Sequence, residues 1–143
     1  MDPPLGDLRV LEISDRTAGF YCGKLFRDAG ALVTLVEPAA ATYRDGHGLR
    51  TPLFHFLNGG KRSVVVGKEE VLVLAGQSDV VIVTGTPDEA RAGGIDVARL
   101  SGPTNRTIVV TISTFGWTGP WAERPATVSV PLGLPWWSSQ QRP

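Results

Sequence analysis

Cysteine is almost absent from this chain: the one residue, Cys22, closes no internal disulfide. Histidine is nearly as scarce, with His47 and His55 at no metal-ligand spacing and without the partners of a catalytic triad. The patterns H-E-x-x-H and C-x-x-C are both missing. Neither sign of charge is in excess, since 14 Lys and Arg balance 14 Asp and Glu with no like-charged block. That removes the electrostatic footprint of a nucleic-acid binder. A phosphorylated small ligand is still accommodated, because it needs only a few placed cations and some backbone amides. No apolar run approaches the roughly 18 residues of a membrane span, so no membrane partner is expected. Behind Met1-Asp2-Pro3-Pro4 lies no apolar stretch of the kind that a secretory signal carries, and the expected compartment is the cytoplasm.

What is present is an alternation of strand and helix patterns. With 143 residues the chain has material for one core. Arg9 to Ile13 and Leu32 to Val36 are β-branched and leucine runs, and helical spacing lies between them. Leu8 to Pro38 is therefore one βαβ unit. In its helix, Ala18, Cys22, Leu25, Phe26 and Ala29 share a face, which predicts that they pack on a sheet with Cys22 as a small core residue. Asp15 or Thr17 is placed to cap the first turn, and Gly30 to end the helix in the left-handed region.

Ala39 to Leu53 lacks periodicity and reads as a loop with a turn at Tyr43-Arg44-Asp45-Gly46. Asn58-Gly59-Gly60 is turn chemistry, followed by a third strand at Val64-Val65-Val66. Lys68 to Gly76 suits a short helix, and Asp79 to Val83 a strand buried on both faces. A brief helix follows Pro87, one more turn spans Asp96 to Leu100, and a fifth strand covers Thr107 to Ser113. The pattern predicts an α/β fold with a Rossmann-like, doubly wound, mainly parallel sheet in residues 1–125. Residues 126–143 form an irregular Pro/Trp-rich tail with one short strand pattern at Thr127 to Val130.

Three features carry candidate chemistry. Glu37, at the end of the second strand, stands where a dinucleotide-binding domain places its ribose acceptor, but the turn Ser14 to Gly19 lacks G-x-G-x-x-G. A strand-end carboxylate that pairs with a nearby cation is the competing account. Lys61-Arg62 after a glycine turn is either a phosphate contact or a solvated charge pair. The loop Phe115 to Trp121 is either a packed aromatic corner or a ligand lid. These residues leave an α/β domain with a candidate site for a phosphorylated small molecule.

Several blocks in order resemble one family. They are Leu8-Arg9-Val10-Leu11-Glu12-Ile13, the Ala18-Gly19 turn, Asp28-Ala29-Gly30-Ala31 with Val36-Glu37-Pro38, and Asn58-Gly59-Gly60-Lys61-Arg62-Ser63. Asp79-Val80-Val81-Ile82 and Phe115-Gly116-Trp117-Thr118-Gly119-Pro120 before Glu123-Arg124-Pro125 complete the set. Together they resemble the N-terminal part of class III coenzyme A transferases, the group that includes formyl-CoA transferase, carnitine-CoA transferase and α-methylacyl-CoA racemase. The resemblance implies a partial Rossmann-like large domain, an interlocked homodimer, and an acyl-CoA bound as substrate along the strand C-termini, with no covalently bound cofactor. Carried over by position, Arg16, Thr17 and Ala18 line the CoA pocket, and Lys61 with Arg62 lies near its nucleotide end.

The same resemblance assigns no catalytic residue here. Transferase members use a carboxylate nucleophile that falls after the aromatic loop, past the last residue of this sequence. Racemase members use a His and an Asp, and the corresponding place after Glu123-Arg124-Pro125 holds Ala126-Thr127-Val128. The loop Asn-Phe-Arg-Pro-Gly usual after the fourth strand is Thr84-Gly85-Thr86-Pro87-Asp88, without its arginine. A truncation or frame change near Thr127 is the expectation that follows. The first reading is thus a protein of the CoA-transferase type, acting on acyl-CoA thioesters. A non-catalytic remnant that binds CoA or a partner, a racemase relative, and a nicotinamide-dependent oxidoreductase domain are the alternatives.

Overall fold

The computed structural model describes residues 3–37, 51–100 and 106–124. Strands β1 (Arg9–Ile13), β2 (Leu32–Val36), β3 (Arg62–Val64), β4 (Val80–Thr84) and β5 (Ile108–Ile112) form one sheet in the order β3-β2-β1-β4-β5. Every pairing is parallel. Helices α1 (Thr17–Asp28), α2 (Pro52–Asn58), α3 (Lys68–Gly76), α4 (Pro87–Ala92) and α5 (Val97–Leu100) connect the strands. The chain moves outward from β1 to β3, then crosses back to β4 on the other side of β1. Between β1 and β4 the strand order reverses, which in open α/β sheets opens a crevice at the strand C-termini.

Alternation along each strand divides the core in two. Val10 and Val33 with Val80 and Ile82 face α1, where Cys22 and Phe26 pack against them. Leu11, Val81 and Val83 face the opposite side, against Val71 and Ala75 of α3 and Ala90 of α4. Central β4 is covered on both faces, so all five of its residues are buried. Each such apolar side chain contributes roughly 1.5–3 kcal/mol of transfer free energy. Phe20, Leu35, Phe54 and Leu57 make a third cluster in which the Phe20 and Phe54 rings meet edge to face at 5.5 Å. Among the described residues no helix is long and apolar enough to cross a membrane.

The buried face of α1 matches the predicted one only in part: Cys22 and Phe26 pack on the core, while Ala18 and Leu25 do not. Gly19, Phe20 and Gly23 are buried, whereas Leu25 is 54% exposed and Ala18 also faces out. Cys22 is half-buried at the edge of the core. The contact surface is rotated by about one residue because two glycines let the helix axis come close to β1. A Cβ at Gly19 would collide with Ser14 and Thr84, and one at Gly23 with the carboxylate of Glu12. Hydrophobic spacing does not register this contact, since glycine carries no apolar side chain.

The ends of the elements also differ in detail. Arg16 is the N-cap of α1 and makes no side-chain capping bond, so neither Asp15 nor Thr17 fills that role. At the other end Gly30 has φ +102°, as predicted, and its N–H donates to Arg27 O at 2.9 Å. Pro52 and Leu53 open α2 rather than closing a loop, with Thr51 Oγ1 accepting from Phe54 N at 3.2 Å. Strand β3 starts two residues before the predicted run, because Arg62 to Val64 pair with Thr34 to Val36 and Val65 turns outward. The predicted turn at Tyr43 to Gly46, the strand pattern at Thr127 to Val130 and the tail at 126–143 lie outside the described residues.

Candidate functional site

The C-terminal ends of β1, β2 and β4 frame a crevice of about 380 Å³. Ile13, Val36 and Val83 form its apolar floor together with Val66, Val71 and Ile95. Its polar lining comes from Asp15, Glu37, Lys68, Thr84 and Glu89. At the end of β1, Ser14 Oγ accepts from Arg16 N and from Thr84 Oγ1, each at 3.1 Å, which ties β1 to β4 at the strand reversal. This mixture of apolar floor and a few convergent polar groups is the usual composition of a small-molecule site.

Arg16 lines a smaller cleft of about 80 Å³ with Gly85, Thr86, Phe115 and Arg124, and Glu89 is common to this cleft and the crevice. Its Nη2 donates to Oε1 and Oε2 of Glu89 at 2.8 and 2.7 Å. Asp15 approaches its Nε at 3.5 Å. Glu89 Oε2 in turn accepts from Thr86 N at 2.8 Å, while Thr86 Oγ1 accepts from Glu89 N at 3.2 Å, a capping box that fixes the carboxylate at the start of α4. Thr17 and Ala18 are exposed in the first turn of α1, which contains no acidic residue and no side-chain cap. The amides of that turn are left for solvent or an anion.

Lys61 and Arg62 occupy a different corner. Arg62 is exposed at the start of β3 and makes no ion pair among the described residues. The Lys61 side chain is 1% exposed and reaches beneath α1 to Glu12, itself 0% exposed, at 2.7 Å. The same ammonium donates to Phe20 O and to Asn58 Oδ1, both at 2.8 Å. All three donors of an ammonium are thereby engaged inside the protein. Burial pushes the Glu12 carboxyl above its ordinary 4.5, with Lys61 pulling the other way, and burial pushes Lys61 down, with Glu12 opposing. Glu12 Oε1 has no hydrogen-bond partner among the described residues.

Glu37, the strand-end acid, is buried and accepts a hydrogen bond from Ser63 Oγ, and its amide donates to Val64 O at 2.8 Å. It lines both the large crevice and a cleft of about 100 Å³ that also holds Asn58, Lys61 and Arg62. Glu37 is thus shared by the crevice and the cleft of Lys61 and Arg62, whereas Arg16 lines a separate cleft and Thr17 and Ala18 line neither. In the aromatic loop, Phe115 and Trp121 meet edge to face at 5.4 Å, Arg124 lies over the Trp121 ring at 5.2 Å, and Trp117 packs against the core cluster that includes Leu11 and Val81.

Glu12, Ser14 and Glu89 were not singled out in the sequence. Glu12 carries a visible signal, a carboxylate in the middle of a strand otherwise apolar, which needs a buried cation. Glu89 shows only as part of a Thr-x-x-Glu capping pattern, and its contact with Arg16 is a tertiary fact.

Comparison with known proteins gives a consistent set of matches. The sequence pattern of CoA-transferase family III matches residues 5–130. Succinate–glutarate CoA-transferase of Agrobacterium fabrum is 32% identical over 139 residues, covering 85% of this chain and 35% of the relative. Succinyl-CoA–D-citramalate CoA-transferase of Chloroflexus aurantiacus is 30% identical over 133 residues, covering 85% of this chain and 33% of the relative. Among solved structures, a CAIB/BAIF family protein from Brucella suis superposes with a TM-score of 0.80 at 30% identity, over 93% of this chain and 39% of that one. The chain thus spans about a third of the length of the curated relatives it matches.

Proposed function

Because the chain belongs to CoA-transferase family III, we propose that it supplies the CoA-facing layer of a protein that moves coenzyme A between carboxylic acids through acyl-CoA thioesters. Membership removes the nicotinamide-dependent oxidoreductase from consideration. The observation that carries the proposal is the 380 Å³ crevice at the point of strand reversal, beside an uncapped helix N-terminus. Acyl-CoA enters as a substrate, and no resident cofactor is required. An apolar floor suits the pantetheine arm, while the first-turn amides of α1 and the guanidinium of Arg16 suit a phosphate. Thr17 and Ala18 belong to the same surface.

Arg62 is the exposed cation at the far end of this surface. Lys61, with its donors taken inside, acts as a brace that fixes the turn from which Arg62 projects. No residue of this sequence takes the role of the attacking carboxylate, so acyl transfer is assigned to the family and CoA contact to these residues. The compartment consistent with this chemistry is the cytoplasm.

One observation supports a second association. Tyr21 and Leu25 on α1 and Leu53 and Phe56 on α2 are 52%, 54%, 54% and 65% exposed. Four large apolar side chains on two neighbouring helices favour a covering chain, and the homodimer implied by the family resemblance is the partner proposed.

Calorimetric titration of CoA into the purified chain tests the assignment. Saturable binding is expected, weakened about tenfold or more by Arg16→Ala combined with Arg62→Ala, since each phosphate contact is charge-assisted. Absence of binding removes the proposal. Binding indifferent to both substitutions returns the arginines to ordinary surface charges.

A further inference from the structure

We propose that Glu89 is an internal counter-ion for Arg16, holding the guanidinium in the empty site and yielding it when a phosphate-bearing ligand arrives. The inference rests on the reading of Arg16 as a ligand contact and adds a residue that sets how tightly such a ligand binds. Three features of the geometry carry it. Both oxygens of Glu89 receive the same Nη2 of Arg16, at 2.8 and 2.7 Å, so the carboxylate covers one edge of the guanidinium. Glu89 lines the large crevice and the small cleft alike, which puts its charge where an anion entering either one would lie. The carboxylate cannot swing away freely, because Oε2 is also held by Thr86 N at 2.8 Å in the first turn of α4.

An anionic ligand therefore meets Arg16 already partnered and Glu89 as a repelling neighbour. Its binding is weakened by the free energy of the Arg16–Glu89 contact. With the two side chains 39% and 52% exposed, that contact is screened and modest. The arrangement selects against weakly held anions such as free phosphate, which would have to displace the carboxylate through one contact. It admits a ligand that gathers further contacts along the crevice.

Glu89→Gln is the informative change, because glutamine at the third helical position keeps the capping box while losing the charge. CoA titrated into the full chain should bind about threefold to fivefold more tightly to Glu89→Gln, and the gain should vanish when Arg16→Gln is also present. A Glu89→Gln chain that binds CoA equally or less tightly, while Arg16→Gln weakens binding, overturns the proposal and leaves the CoA site standing. A chain that binds no CoA removes the proposed function instead, and a second measurement then decides on Glu89. Phenylglyoxal labelling of Arg16, read by peptide mass spectrometry, should run about threefold faster in Glu89→Gln. Inorganic pyrophosphate should protect Arg16 at lower concentration in that variant. Equal labelling rates and equal protection overturn the counter-ion role.

Discussion

The Lys61–Glu12 pair beneath α1 and the Arg16–Glu89 pair at its N-terminus have the same shortest contact, 2.7 Å, in opposite surroundings. The first is 1% and 0% exposed, the second 39% and 52%. In the buried pair the charges are cut off from water, so each partner is needed to make the other tolerable. In the exposed pair water stands ready to replace either partner, and the contact is exchangeable. Burial therefore separates a fixed brace from an exchangeable surface pair, although both consist of a cation and a carboxylate. The sequence places Lys61 and Arg16 in comparable loops, and it is the approach of α1 to β1 that seals one and leaves the other open.

Removing the buried cation should have the largest effect. Lys61→Met is expected to lower stability by about 3–5 kcal/mol at neutral pH, because Glu12 is left charged and unpaired in the core. Equilibrium urea unfolding measures this. The pH dependence gives the comparison a sharper edge. Glu12 already has its carboxyl raised above 4.5 in the folded state, and loss of Lys61 raises it further. A raised carboxyl favours folding below its unfolded value, and that advantage is lost as pH rises through the folded value. The stability gap between Lys61→Met and the parent should therefore narrow on acidification toward pH 5 and widen toward pH 8. A gap independent of pH would show that Glu12 is not the group left stranded.

Next in size comes Gly23→Ala. Alanine in a helix interior normally gains about 1 kcal/mol over glycine, but here the added methyl meets the Glu12 carboxylate. A net loss of about 1–3 kcal/mol is expected as α1 is pushed off β1. A gain in thermal midpoint would mean that the helix does not sit on the buried pair.

The smallest effect on folding belongs to Arg16→Ala, within about 1 kcal/mol of the parent by urea unfolding, as for other screened surface pairs. If Arg16→Ala destabilised the fold as much as Lys61→Met, the distinction between buried brace and exchangeable pair would collapse.

Much of the fold is legible in the residues because strand and helix periodicities are local. Asp79 to Val83 reads as a strand covered on both faces, and the strand formed one residue later, Val80–Thr84, is buried throughout. Gly30 reads as a helix end and takes the left-handed φ. The family blocks are equally readable, and the family they point to matches residues 5–130. The orientation of α1 is not legible, since the helix is seated through Gly19 and Gly23 over Ser14 and Glu12, and none of these four contributes to an apolar stripe. The state of Lys61 is hidden for the same reason, because its carboxylate partner is 49 positions away in sequence.

The sequence by itself determined the order of the strands along the chain, the parallel α/β class and the family, all of which follow from short-range patterning and motif order, but not helix α2. Tertiary structure alone decided which cations stay in contact with water: the close seat of α1 on β1 excludes water from Lys61 and Glu12, while Arg16 lies partly exposed in a small cleft, paired with Glu89. Solvent access is set by the packing of distant segments, and a lysine or arginine becomes an internal brace or an exchangeable surface cation according to which side of that packing it occupies.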